Sequence, residues 1–250
     1  MLEGRIALVT GSSRGIGAAI AIALAHNGAA VVVHGRDSAS ISDVTQRVRA
    51  KGGIALSVEG DVRRQDDLAG MRQQIEAEVG PVDILVANAG GNLTPPALLE
   101  DMPETGFTET VHENLTATFL TLKTFLPSMK EKRRGAIITV TSAAARRPSQ
   151  QTPLAYAAAK AGVIALTRIA AVQAGAFGVR VNCVAPETIL TERNLAQIPP
   201  AVRDKLVENN PLRQLGAPED VANAVVFLAS DQASWISGVV VDVAGGSVLA

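Results

Sequence analysis

Residues 6–24 limit what this chain can fold into more than any other stretch. An apolar run of strand length, Ile6-Ala-Leu-Val-Thr10, meets Gly11-Ser-Ser-Arg-Gly15-Ile-Gly17 and then a helix-forming run from Ala18 to Leu24. A strand that is apolar on both faces is typical of a parallel sheet covered by helices. The glycines permit a tight turn, close approach of a phosphate or another backbone, and close packing of helix on strand. The helix that follows points its free N–H groups and the positive end of its dipole at the mouth of the turn, which makes a phosphate site from backbone alone. An ordinary glycine-rich turn is the competing reading. The spacing is Gly-x3-Gly-x-Gly, a departure from the Gly-x-Gly-x2-Gly of the common dinucleotide fingerprint.

Strand and helix signals then alternate to the end of the chain. Apolar runs at 30–34, 54–58, 82–87, 136–140, 179–185 and 239–243 read as six further strands. Between them, 38–51 carries Ile41, Val44 and Val48 at helical spacing, and 66–79 carries Leu68, Met71, Ile75 and Val79. A long helical region spans 105–132, with Leu115, Phe119 and Leu122 spaced for burial and Pro127 expected to begin an irregular last turn. Helices are also expected at 155–176 and, with Pro218 at its start, 218–230. Residues 189–210 are polar and broken by Pro199-Pro200, and read as short helices or a mobile flap over a substrate. The pattern predicts an α/β fold of one domain over 1–250: a doubly wound, Rossmann-like parallel sheet of seven strands with helices on both faces. Ligands of such sheets bind outside the carboxyl ends of the strands, so the loops at 10–17, 35–38, 60–62, 88–92, 141–144 and 186–191 should hold the chemistry.

Composition narrows the classes. The net charge of −1 argues against nucleic acid as the main partner. The single cysteine, Cys183, forbids an intrachain disulfide, suits a reducing compartment, and sits in an apolar run that reads as a buried strand. No apolar run is expected to approach the ~18 residues of a membrane span, and the glycines at 11–17 interrupt any leader-like core. The chain is therefore expected to be soluble and cytoplasmic. His26, His34 and His112 are scattered without metal-ligand spacing and read as ordinary hydrogen-bonded histidines, so no metal is expected.

Tyr156, the only tyrosine, and Lys160 are four apart in the helical run Tyr-Ala-Ala-Ala-Lys, and so lie on one face. A phenol titrates near ~10 and is a poor acid–base catalyst at neutral pH; a nearby ammonium stabilises its anion. Such a pair is a plausible proton donor to a carbonyl oxygen, and Ser142, at the end of the fifth strand, could hold the same oxygen. In isolation each would read as a surface pair and a turn residue.

Taken in order, these motifs resemble the short-chain dehydrogenase/reductase family, in its branch of about 250 residues, over nearly the whole chain. Thr10-Gly11-Ser-Ser13-Arg14-Gly15-Ile16-Gly17 is similar to that family's glycine motif, Asp61-Val62 to its adenine-contacting element, and Asn88-Ala89-Gly90 to its Asn-Ala-Gly segment. Asn114, Ser142, Tyr156 and Lys160 match its catalytic set, and 186–191 its cofactor loop, with Pro186, Ile189 and Thr191 at the nicotinamide end. The resemblance implies hydride transfer between a nicotinamide and a small-molecule carbonyl or alcohol. Tyr156 would be the general acid, Lys160 would bind the ribose and lower the pKa of Tyr156, Ser142 would orient the carbonyl, and Asn114 would hold a water.

The resemblance also implies NADP(H) rather than NAD(H). The acidic position that would bind a ribose 2′-hydroxyl reads Gly35 here, followed by Arg36, and Arg14 lies inside the glycine turn; Asp37 is the competing group. A homotetramer is the family expectation, through the two long helices and the C-terminal strand. A 3-oxoacyl-carrier-protein reductase is the nearest alternative, with an acyl carrier protein as partner. Arg133 or Arg134 stands where such enzymes carry a basic contact, but Phe177 replaces the second one. Arg146-Arg147 is a further basic pair, read as solvated charge or a site for an acidic or phosphorylated group. A non-catalytic NADP-sensing protein is the alternative of a different class.

Overall fold

The structure is a computed structural model and describes residues 1–249. Seven parallel strands form one sheet: β1 Ile6–Val9, β2 Ala30–Gly35, β3 Ala55–Glu59, β4 Ile84–Ala87, β5 Gly135–Val140, β6 Val179–Pro186 and β7 Val240–Val243. Their order is β3-β2-β1-β4-β5-β6-β7. The chain steps outward from β1 to β3, returns to the middle, and steps outward again from β4 to β7. The switch falls between β1 and β4, which pair with Leu8 opposite Leu85. A crevice opens at such a point beyond the carboxyl ends of the strands.

The strands feed two cores because successive side chains alternate in direction. Ala7, Val9, Val31, Val33, Ile84 and Val86 face one core with helices α1 (Gly15–His26), α2 (Ser38–Arg49) and α9 (Pro218–Ala229). Leu8, Val32, Leu85, Ala87, Ile137 and Val181 face the other, with α3 (Gln65–Glu78), α5 (Ala117–Lys132) and α6 (Leu154–Gly175). Cys183 is fully buried on β6, as expected. Residues 189–210 contain two short helices, α7 (Glu192–Gln197) and α8 (Pro200–Asn209).

Three expectations need correction. The helical region is α4 (Glu104–Val111), a π-helical turn His112–Thr116, and α5, and α5 runs through Pro127 without an irregular turn. Burial of Phe125, Ser128 and Met129 against the sheet holds the helix on course past the proline. Phe119 is 46% exposed rather than buried. Thr118, Thr121 and Thr124 occupy the inward stripe instead, each hydroxyl donating to the carbonyl four residues back. Satisfied in this way, a threonine enters a core position that hydrophobic spacing assigns to a larger side chain. Finally, α6 is long and apolar enough to cross a membrane, with a mean hydropathy of 1.4 over its best window. It instead lies along the sheet, with Val163, Thr167, Ala170 and Ala174 buried.

Candidate active site

The crevice at the switch point is shaped by glycine. Gly11 and Gly15 sit at φ 63° and 57°, a region that glycine enters without steric cost. Gly17 is required for closeness rather than for its dihedral: a Cβ there would lie 2.3 Å from the Gly11 carbonyl oxygen and 2.6 Å from Asn88 Nδ2. That amide donates to the carbonyls of Thr10 and Gly11, both at 3.0 Å, and Thr10 Oγ1 accepts from the N–H groups of Asn88 and Ala89. Ile16 and Gly17 lie in the first turn of α1, and Thr191 lies over the glycine turn, its methyl 3.4 Å from where a Gly15 Cβ would be. Pro186 ends β6, and Ile189 bridges to Gly216.

A cavity of about 420 Å³ opens here. Gly11, Ser13 and Arg14 line it from the glycine turn, Arg36 from beyond β2, Asp61 and Val62 from beyond β3, and Asn88, Ala89 and Gly90 from beyond β4. The N-terminus of α1, Arg14 and Arg36 supply positive potential with no carboxylate within ion-pair distance of either arginine among the described residues. A backbone cradle closed to any Cβ, with two cations at its rim, fits a dinucleotide diphosphate and ribose phosphate.

Three residues at this cavity carry more than sequence reasoning assigned. Arg63 grips both Asp61 carboxylate oxygens and reaches Glu113 at 3.3 Å. Its hydrogen bonds hold the Asp61 carboxyl down at about 2. His34, 2% exposed, accepts from the Gly11 N–H at 3.0 Å through Nδ1 and lies 3.1 Å from the Gly60 carbonyl through Nε2. Those two partners define a neutral ring with its proton on Nε2. The motif reading passed over it because the signal is purely tertiary: β2 must pair beside β1 before His34 meets Gly11.

Burial lowers the His34 pKa from 6.5 to about 4. A histidine depressed in the folded state stabilises the fold above its unfolded pKa, and that contribution is lost as pH falls from about 6.5 toward 4. At about 1.36 kcal/mol per pH unit the full loss is roughly 3 kcal/mol. His34→Asn keeps an acceptor for Gly11 and removes the titration. Urea midpoints measured between pH 7.5 and 5 should therefore fall less for the variant than for the wild type; equal slopes would contradict the assignment.

Of the four expected catalytic residues, Ser142 and Lys160 lie near Tyr156. Ser142 follows β5 and caps the next turn, accepting from Ala144 N–H at 3.2 Å. Tyr156 and Lys160 stand on consecutive turns of α6. Burial pushes the Tyr156 phenol upward, and hydrogen bonding to Ser142, then the charge of Arg193, oppose that. Lys160 is buried. Its ammonium donates to the Val140 carbonyl at 2.8 Å and lies 5.6 Å from the centre of the Tyr156 ring. Burial lowers its own pKa to about 8. Asn114 sits in the π-helical turn. Its amide donates to Gly91 and Thr110 carbonyls and its oxygen accepts from Gly91 N–H, so the side chain fastens the loop after β4.

Comparison with known proteins agrees with this fold. A family described as Enoyl-(Acyl carrier protein) reductase matches residues 11–247. The 3-oxoacyl-acyl-carrier-protein reductase of Staphylococcus epidermidis is 38% identical over 243 residues, 96% of this chain and 97% of the relative. A solved 7 alpha-hydroxysteroid dehydrogenase complexed with NADH and 7-oxo glycochenodeoxycholic acid superposes with a TM-score of 0.94 at 36% identity, covering 99% of this chain and 95% of that one. A gluconate 5-dehydrogenase from Burkholderia cenocepacia, in complex with NADP and tartrate, gives 0.92 at 31%, covering 98% and 96%. The chain belongs to the short-chain dehydrogenase/reductase family. It is accordingly an oxidoreductase of alcohol and carbonyl groups that binds a pyridine nucleotide.

Proposed function

We propose that the protein transfers a hydride between NADP(H) and a small carbonyl or alcohol compound, with Tyr156 as the acid–base group. The observation that carries this reading is the half-buried Tyr156 on α6, one turn from the buried Lys160, with Ser142 beyond β5 acting on the same phenol. Bound nicotinamide supplies or accepts the hydride at its C4. In reduction Tyr156 gives its proton to the carbonyl oxygen while the Ser142 hydroxyl holds that oxygen in place. Lys160 binds the nicotinamide ribose, and Ile189 and Thr191 hold the carboxamide end. Residues 189–210 act as the substrate flap within one catalytic domain. A screen of carbonyl compounds and alcohols, followed by nicotinamide absorbance, tests the reading. Cofactor binding without turnover of any of them would favour the sensing alternative.

Preference for NADP(H) rests on charge. Arg36 and Arg14 line the cavity, while Asp37 is turned into the start of α2, accepting from Ser40 N–H at 2.8 Å. The competing carboxylate is thereby engaged as a helix cap. A hydrogen bond to a charged group contributes roughly 1.5–3 kcal/mol, so NADPH should bind at least about tenfold more tightly than NADH. Titrations of wild type and Arg36→Ala with both nucleotides check this; equal wild-type affinities would refute it.

Assembly into a homotetramer is supported by the outward faces of the two long helices, where Phe119, Ile169 and Val172 are 46%, 57% and 84% exposed. Light scattering should give four copies; a stable monomer at micromolar concentration would contradict it. The carrier-protein reading fares worse. Arg133 donates to the Ala176 carbonyl, and the exposed Phe177 stands where the second basic contact would be, with the Lys130 ammonium 4.8 Å from its ring centre.

A further inference from the structure

The cleft next to Ser142 is a cavity of about 760 Å³ with two opposite charges on its wall, Arg147 and Glu187. The C-terminal segment organises both. Arg147 Nη1 donates to the Ser247 carbonyl at 2.6 Å, and Ser247 Oγ donates to Glu187 Oε2 at 2.8 Å. No ion pair joins Arg147 to Glu187 among the described residues. Each therefore keeps capacity for a ligand: further guanidinium N–H groups on Arg147, and Oε1 on Glu187. The neighbouring arginine shows the contrast. Arg146 is committed to Asp242 of β7 through two hydrogen bonds, at 3.1 and 2.9 Å, and serves the fold.

We propose that the substrate is a polyhydroxy monocarboxylate, or its oxo form, whose carboxylate binds Arg147 and one of whose distal hydroxyls donates to Glu187. This rests on the oxidoreductase reading above and names the substrate class for that site. An arginine fork matches a carboxylate in shape and charge. Glu187 repels a second anionic group and selects a hydroxyl donor at the other end. The amides of Gln151 and Asn209 also line the cavity and make no side-chain hydrogen bond among the described residues, leaving further partners for hydroxyls. A small zwitterion would satisfy both charges as well, but it would leave the Gln151 and Asn209 amides without hydroxyl partners. In the oxidative direction the reacting hydroxyl loses its proton to the Tyr156 phenolate and its carbon loses a hydride to the nicotinamide, leaving a carbonyl.

The test uses six-carbon aldonates, their uncharged alditols, 3-hydroxy amino acids and cyclohexanol, with the full-length protein. Aldonates should be turned over with NADP+ at least tenfold better in kcat/KM than the matched alditols. Arg147→Gln should raise the aldonate KM at least tenfold with little change in kcat, and narrow the preference for the aldonate over its matched alditol; Arg147→Lys should restore part of the loss. Calorimetric titration of the NADP+-loaded protein with aldonates gives a readout independent of turnover, and Arg147→Gln should weaken it to the same degree. Turnover of cyclohexanol or a hydroxy amino acid in preference to every aldonate would overturn the substrate class while sustaining the oxidoreductase reading. No turnover of anything would count against the oxidoreductase reading, and the calorimetry would still decide whether Arg147 receives a carboxylate. Equal aldonate affinity of wild type and Arg147→Gln, or none, overturns that assignment.

Discussion

Tyr156→Phe is expected to lower kcat by at least about 100-fold, the usual scale of general acid–base catalysis, while NADPH affinity stays within about threefold. The substitution removes one hydroxyl from a half-buried side chain on α6, and leaves the glycine turn and both arginines untouched. The pH dependence follows from what surrounds the phenol. Burial raises its pKa, and Ser142 is the main group opposing that rise. Tyr156 is therefore protonated at neutral pH, ready to act as an acid. Reduction should hold steady through neutral pH and fall once the phenol ionises, whereas oxidation, which needs the phenolate, should climb as pH rises. Ser142→Ala removes the opposing hydrogen bond and should move the rising limb of the oxidation profile to higher pH. Wild-type rates in Tyr156→Phe, or an oxidation profile that Ser142→Ala leaves in place, would remove the phenol from the mechanism.

Gly17→Ala should weaken NADPH binding by about 10- to 100-fold and lower the melting temperature by several degrees. The new methyl meets backbone: the Gly11 carbonyl oxygen at 2.3 Å, with the Asn88 amide at 2.6 Å. Neither is the free end of a flexible side chain, so α1 or the glycine turn must move. Overpacking of this kind costs typically 1–3 kcal/mol, which is the size of the affinity loss, and for a chain of this length each kcal/mol is about 2–4 °C. Gly70 is the control. It lies in α3 with nothing within 4 Å of its added Cβ, so Gly70→Ala should leave NADPH binding alone and raise stability slightly. Normal cofactor affinity in Gly17→Ala would mean that the turn is not the binding cradle.

Much of this protein follows from local chemistry, and local chemistry is written in the chain. Two-sided apolar strands separated by helical runs determine a parallel sheet with helices on both faces, and the glycines after β1 mark where its ligand crevice opens. The i, i+4 spacing of Tyr156 and Lys160 places them on one helix face wherever that helix lies. Tertiary structure decided whatever depends on partners far away in sequence. Which of two adjacent arginines serves the fold was settled by Asp242, 96 residues from Arg146, and by the C-terminal segment beside Arg147. Phe119 faces outward because threonines with satisfied hydroxyls hold the inward stripe of α5. Lys160 points at Val140 because α6 packs back against the end of β5, and His34 joins the glycine-turn cavity because β2 pairs beside β1. Spacing along a helix or strand fixes which face a side chain takes; the hydrogen-bond partner it finds there depends on which other segment the fold brings to that face.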